Sequence, residues 1–198
     1  MSVDLVLASG SASRRLMLEN AGLRLKVIKP QIDEDSHRVA MRAEERSISD
    51  QAMHLAELKA LKVSQTTDHL VLGGDQMLNL EGTAFDKPAS LDVARDHLKQ
   101  LSGRSHILET AIVIAHSGQL VWRHLARPRL TMRALSEPFI DAYIAACGPD
   151  LCTTVGAYML EARGAQLFST IEGDFFSVRG LPLLPLLGYM RDRGIIAS

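Results

Sequence analysis

The chain has 198 residues, 46% hydrophobic and 23% charged, enough for one sizeable core or for two lobes sharing a sheet. A formal net charge of -1 offers no global field for nucleic acid or an anionic membrane, so phosphate chemistry would need a local cluster of cations. No apolar run reaches the roughly 20 residues of a bilayer span, and no basic-then-apolar leader opens the chain, so a cytoplasmic location without membrane or nucleic-acid partners is expected.

Strand and helix signals alternate, which predicts an α/β class. Leu5 to Ala8 reads as a strand that stops at the small-residue turn Ser9-Gly10-Ser11. A helix is expected from about Ser13 to Ala21, with Gly22 as its stop. A strand over Leu23 to Ile28 ends at Pro30, and a polar segment with Asp33-Glu34-Asp35 follows. A longer helix is predicted from about Ala43 to Val63, then an apolar strand, Leu70 to Leu72, running into Gly73-Gly74-Asp75. Ser90 can cap a helix ending near Gly103. Ile107 to His116 and Leu120 to Met132 read as strands joined by a Ser117-Gly118 hairpin. Ser136 starts a helix with Pro138 in its first turn, and Gly148 follows its end. Cys147 and Cys152 are expected as free thiols, since two cysteines make no disulfide framework and no Cys/His set has zinc spacing. The final third mixes short strands with glycines and closes on a helix ending near Arg193. A hairpin unit set between α/β portions predicts one domain with two lobes and a cleft.

The first strand and turn carry the strongest functional signal. Strand, turn and helix start gather backbone N–H groups, hydroxyls and the positive end of a helix dipole, a point that suits a phosphate. Arg14 and Arg15 lie in the first turn, where a dipole prefers acids. Either a bound anion supplies the missing charge, or the two arginines are simply solvated. Asp75, after an apolar strand, can bind a divalent cation or take a proton from water; alone it equally fits a turn aspartate. One of Asp33, Glu34 and Asp35 could share that ion, or all three are solvated loop acids. Lys59 falls in the apolar stripe of Ile48, Ala52 and Leu55, so its ammonium needs a partner, an aqueous cleft or a snorkelling path to water. Lys87 is held extended by Pro88. Arg104 fits a helix cap better than a phosphate, and His106 fits the core or surface. Glu161 fits a base edge or an ordinary exposed turn.

Taken in order, Leu7-Ala-Ser-Gly-Ser-Ala-Ser-Arg14, Ile32-Asp-Glu34, Leu58-Lys-Ala60, Gly74-Asp-Gln76 and Asp86-Lys-Pro88 resemble the Maf family of nucleoside triphosphate pyrophosphatases. Leu101-Ser-Gly-Arg-Ser-His106 with Thr110, Gly156-Ala-Tyr158, Ile171-Glu-Gly173 and Gly180-Leu-Pro182 continue the resemblance over essentially the whole chain. It implies a single domain over residues 1–198, two-lobed around an elongated mixed sheet, with a nucleotide cleft between the lobes. It implies hydrolysis of a nucleoside triphosphate to the monophosphate and pyrophosphate with a divalent cation, Mg2+ or Mn2+, and a homodimer. In that pattern Asp75 is the catalytic base and Glu34 joins it at the metal. Ser9, Arg14, Lys59 and Lys87 hold the triphosphate, with Ser13, Gln76 and Glu161 also at the substrate. Ala12 and Ser13 stand where the family usually has Pro and Arg, and Thr154 where a lysine is frequent. Gln76 with Glu161 resembles the subgroup acting on 7-methyl-GTP, and a carboxylate suits the donors of guanine. A division-linked regulator that binds nucleotide without turnover would use the same phosphate cradle. A dinucleotide-binding oxidoreductase fits poorly, because Ser9-Gly10-Ser11 is not a Gly-x-Gly-x-x-Gly turn.

Overall fold

A computed structural model describes residues 3–197. In chain order the elements are β1 (Leu5–Ala8), α1 (Ala12–Asn20), β2 (Leu25–Val27), α2 (Glu34–Ala43), α3 (Ile48–Ser64), β3 (Val71–Leu80) and β4 (Thr83–Phe85). There follow α4 (Leu91–Leu101), β5 (Ser105–His116), β6 (Gln119–Ala126), β7 (Arg129–Met132), α5 (Glu137–Cys147), β8 (Phe168–Glu172), α6 (Phe175–Val178) and α7 (Leu183–Asp192). The eight strands form a mixed sheet in the order β2-β1-β3-β5-β7-β8, with β4 on β3 and β6 on β5. The α/β class follows directly.

The chain divides into two compact units. The first holds the chain up to Gln76, Thr110–Ala126 and everything from Asp174 onward. Its centre is β1, parallel to β2 on one side and β3 on the other, with Leu7 opposite Val27 and Leu72. A strand paired on both edges and covered on both faces reads as a continuous apolar run, and Leu5 to Ala8 are all fully buried. Side chains alternate across it. Leu5 and Leu7 pack with Met17, Leu18, Leu186 and Met190 of α1 and α7, while Val6 and Ala8 face Val63 of α3.

The second unit holds Met77–Glu109 and Arg127–Gly173. Its strands β7 and β8 pair antiparallel, and α4 packs on α5. Its buried polar groups are kept neutral or paired. His106 Nε2 lies 2.8 Å from Tyr158 Oη, and the Tyr158 ring meets Phe168 edge-on at 4.8 Å. Burial pushes the His106 imidazole down to about 4 and the Tyr158 phenol above its ordinary range. His106 is therefore a core histidine. Glu109, fully buried, accepts from Asn79 at 3.0 Å and from both Nε and Nη2 of Arg127 at 2.8 and 3.0 Å.

Five expectations change. The acids at 33–35 are not a loop. Asp33 caps α2, its carboxylate accepting from Ser36 N at 3.1 Å, and Glu34 and Asp35 sit in the first turn, where a helix dipole favours acids. The helix expected from about Ala43 starts only at Ile48, because Ala43 is the last residue of α2. The chain breaks at Glu45, whose φ of 53° is left-handed, and Ser47 caps α3 through Asp50 N. The strand at Leu70–Leu72 does not stop at the glycines but runs to Leu80, so Asp75 lies inside β3. The expected strand Leu120–Met132 is two, because Pro128 has no N–H for the ladder and β7 begins after it. In the final third β8 is the one strand among the described residues; 3-10 turns such as Gly148–Thr153 and Arg163–Leu167 stand where further short strands were expected, and the closing helix forms as α7. The Ser117-Gly118 hairpin stands as expected, with positive φ at both residues. Cys147 and Cys152 are free thiols.

Candidate functional site

Helix α3 seats directly on β3. A Cβ built on Gly73 would lie 2.2 Å from Ala56 O and 2.7 Å from Ala60 N. No side chain fits there, so the backbones touch. That approach puts Lys59, on the same helix face, over Asp75 two residues along the strand. Lys59 Nζ donates to Asp75 Oδ1 at 2.8 Å and lies 2.7 Å from Glu34 Oε2. Lys59 is 7% exposed and Asp75 4%. The ammonium on the apolar stripe is thus partnered within the fold and does not snorkel to water.

Glu34 enters from the first turn of α2. Burial works to raise its carboxyl, but Lys59 and then Arg38 outweigh it and hold the group below its ordinary value. Arg38 Nη2 lies 3.5 Å from both Glu34 Oε2 and Asp75 Oδ1. Sequence reading missed Arg38. Its signal is the i,i+4 spacing from Glu34, visible only once a helix is drawn from residue 34. Asp75 Oδ2 is buried and accepts no hydrogen bond among the described residues. An orphaned carboxylate oxygen beside a second carboxylate is a donor set that fits a hard divalent cation, which takes one or two carboxylates and completes its shell from phosphates.

The second half of the site is the turn after β1. Ser11 caps α1 by accepting from Arg14 N at 3.3 Å, and Ser9 Oγ accepts from Ser11 N at 3.1 Å. The two arginines part company. Arg15 is exposed and pairs loosely with Glu19 at 3.8 Å. Arg14 is 8% exposed and turns inward. Its Nε donates to Gly180 O at 2.7 Å, and its Nη1 to Gly74 O at 3.0 Å and Ser9 Oγ at 3.3 Å. Burial works to lower the guanidinium pKa; the charges of Asp75 and Glu34 oppose it. The negative charge facing Arg14 is therefore supplied by the chain itself. Ser13 Oγ donates to Arg179 O at 3.2 Å.

Gln76 follows Asp75 and donates from its amide to Thr110 Oγ1 at 2.8 Å and to the carbonyls of Ser177 and Val178, each at 3.1 Å. Ser9, Ser13, Arg14, Glu34, Lys59, Asp75 and Gln76 all belong to the first unit. Lys87 and Glu161 belong to the second. Lys87 is exposed just past β4, ahead of the buried Pro88, and Glu161 is exposed in a turn. Arg104 donates its backbone N–H to Leu101 O at the end of α4 at 3.1 Å, while its side chain pairs with Glu81.

Fold and site define an α/β protein with a buried carboxylate–cation cluster beside a strand–turn–helix junction. The chain belongs to the Maf family: the model of the Maf-like protein matches residues 4–193. It is 57% identical to a nucleoside triphosphate pyrophosphatase of Hyphomonas neptunium, over the full length of both chains. It is 45% identical to a nucleoside triphosphate pyrophosphatase of Rhodospirillum rubrum, over 98% of this chain and 96% of that one. It is 44% identical to a 7-methyl-GTP pyrophosphatase of Rhizobium meliloti, over 97% of each.

Proposed function

We propose that this chain hydrolyses nucleoside triphosphates to the monophosphate and pyrophosphate, an acid-anhydride hydrolase like its Maf relatives. The observation that carries the reading is the buried pair Lys59–Asp75 at 2.8 Å, with Asp75 Oδ2 unpartnered among the described residues. Family membership and the names of close relatives support the same activity.

In this reading Asp75 takes a proton from the attacking water. Lys59 occupies Oδ1, so Oδ2 is the oxygen left for the incoming group. The water oxygen bonds to the α-phosphorus, the bond from that phosphorus to the bridging oxygen breaks, and pyrophosphate leaves. Arg14 and Lys59, with Ser9 and Ser13 on the turn, orient the triphosphate and offset its charge. Lys87 joins them through the family resemblance. Glu34 and Asp75 would hold a divalent cation, Mg2+ or Mn2+. When bound, it supplies charge neutralisation on the phosphate oxygens. A regulator that only bound nucleotide would gain nothing from a buried carboxylate with an unpartnered oxygen.

Gln76, Glu161 and the likeness to the Rhizobium meliloti relative support 7-methyl-GTP as the preferred substrate. A homodimer belongs to the reading through the family resemblance, and a cytoplasmic location through the reading of Cys147 and Cys152 as free thiols. No helix among the described residues is long and apolar enough to cross a membrane.

The test is pyrophosphate release from a panel of ribonucleotide, deoxyribonucleotide and methylated triphosphates, with Mg2+, with Mn2+ and with chelator. Metal-dependent release, greatest from 7-methyl-GTP, is the expected result. Preference for dTTP or UTP would retain the chemistry and remove the base assignment. No release from any substrate would remove the reading.

A further inference from the structure

Two cations meet at the same two carboxylate oxygens. Lys59 Nζ lies 2.8 Å from Asp75 Oδ1 and 2.7 Å from Glu34 Oε2. Arg38 Nη2 lies 3.5 Å from each of those atoms. Glu34 and Arg38 reach the cluster from one face of α2, a turn apart, as i,i+4 spacing dictates. All four residues belong to the first unit. Among the described residues, the two carboxylates are thus faced by two cations, and Arg14, whose charge Asp75 and Glu34 also favour, adds a third. The pair proposed to take a divalent cation therefore presents no net negative charge to it.

The two cations differ in how firmly they are held. Lys59 makes the shorter contacts, its side chain is 8% exposed, and it stands on the helix that touches β3 at Gly73. Arg38 makes the longer contacts, its side chain is 18% exposed, and α2 buries only Met41 outright. Burial works to raise the Glu34 carboxyl, and Lys59 opposes it more strongly than Arg38 does. Of the two charges, Arg38 is the one with a short path to water and the weaker hold on the acids. A triphosphate also gives its guanidinium a better partner, because the planar N–H fork matches phosphate oxygens.

We infer that Arg38 is a built-in competitor of the divalent cation: it occupies the Glu34–Asp75 pair in the nucleotide-free chain, holds cation affinity down, and yields the pair when a triphosphate binds. This rests on the pyrophosphatase reading above and deepens it by setting the order of assembly. The ion is held firmly only together with the nucleotide, and free ion alone has little grip on the site.

The test is titration of the nucleotide-free protein with Mn2+ alone, read by the electron paramagnetic resonance of the free ion. Arg38→Gln is expected to bind Mn2+ about 10-fold more tightly than the parent, because one positive charge facing the same carboxylates is gone. Arg38→Met, equally neutral and of similar length, is expected to act alike and stands in if Arg38→Gln does not fold. Arg42→Gln removes the same charge from an exposed position one turn further along α2, and is expected to change affinity less than about 2-fold. If Arg38 only steadied Glu34, its removal would weaken Mn2+ binding, the opposite sign. Calorimetry of an α,β-methylene triphosphate with and without Mn2+ reads the other half: the coupling between ion and nucleotide is expected to shrink about 10-fold in Arg38→Gln. Unchanged or weaker Mn2+ binding in the Arg38 variants, equal tightening by Arg42→Gln, unchanged coupling, or Mn2+ binding by none of the chains would overturn the inference. Neither measurement needs turnover, so a parent that releases no pyrophosphate removes the pyrophosphatase reading and leaves the competition between Arg38 and the ion to be decided by these titrations.

Discussion

Two buried clusters, one in each unit, hold titratable groups in opposite ways. In the second, His106 and Tyr158 meet at 2.8 Å and burial holds both in their neutral forms. In the first, Lys59 pairs with both Asp75 and Glu34, and one carboxylate oxygen is left without a partner among the described residues. Desolvating ions is expensive, and a neutral pair packs at lower cost. The second arrangement is what stability asks for. The first tolerates a penalty, and an oxygen that accepts nothing from the described residues is where the tolerance becomes intelligible as chemistry.

The largest test of that contrast is Asp75→Asn. Pyrophosphate release is expected to fall about 1,000-fold or more, while thermal unfolding moves little, because Lys59 keeps Glu34 as a partner. Retained turnover would mean that the charged cluster is structural after all. Lys59→Met should do the reverse damage first, to the fold. It removes the cation shared by two carboxylates, and denaturant titration should show a loss of about 3–5 kcal/mol.

The neutral pair makes its own prediction. The His106 imidazole is held down to about 4 in the fold against an ordinary 6.5. Between those values the unfolded chain binds a proton that the folded chain refuses, so acid favours unfolding. Stability is full above about pH 6.5 and is lost as pH falls toward 4, by at most about 3 kcal/mol. His106→Leu should flatten that part of the profile in pH-dependent denaturation, without changing base preference. Gly73→Ala should cost about 1–3 kcal/mol by overpacking and lower turnover with it, read by unfolding and kinetics together. Arg15→Ala, which removes only an exposed pair at 3.8 Å, should shift stability by less than about 0.5 kcal/mol.

Much of this was legible in the sequence, for identifiable reasons. The apolar run Leu5 to Ala8 and the small turn after it marked the central strand, because a strand buried on both faces leaves no polar alternation. Lys59 stood out because a charge on an apolar stripe demands a partner. What the sequence hid was longer in range. Helix α2 buries only Met41 outright, so it shows little apolar stripe and was read as loop, and Arg38 went unseen with it. Gly73 and Gly74 looked like the end of a strand, because no local pattern announces that a helix will lie on top of one of them. The inward turn of Arg14 depends on Gly180, 166 residues away, and no short-range signal encodes it.

Gly73 has one more consequence. The spacing between the Lys59 ammonium and the Asp75 carboxylate is set where two backbones touch at 2.2 Å from a missing methyl position. Main-chain contacts have no rotamers to search. Helix and strand therefore lock the two groups together as the protein folds, long before any nucleotide arrives. The ordering entropy is settled once per molecule rather than once per turnover, so the site meets its substrate already assembled.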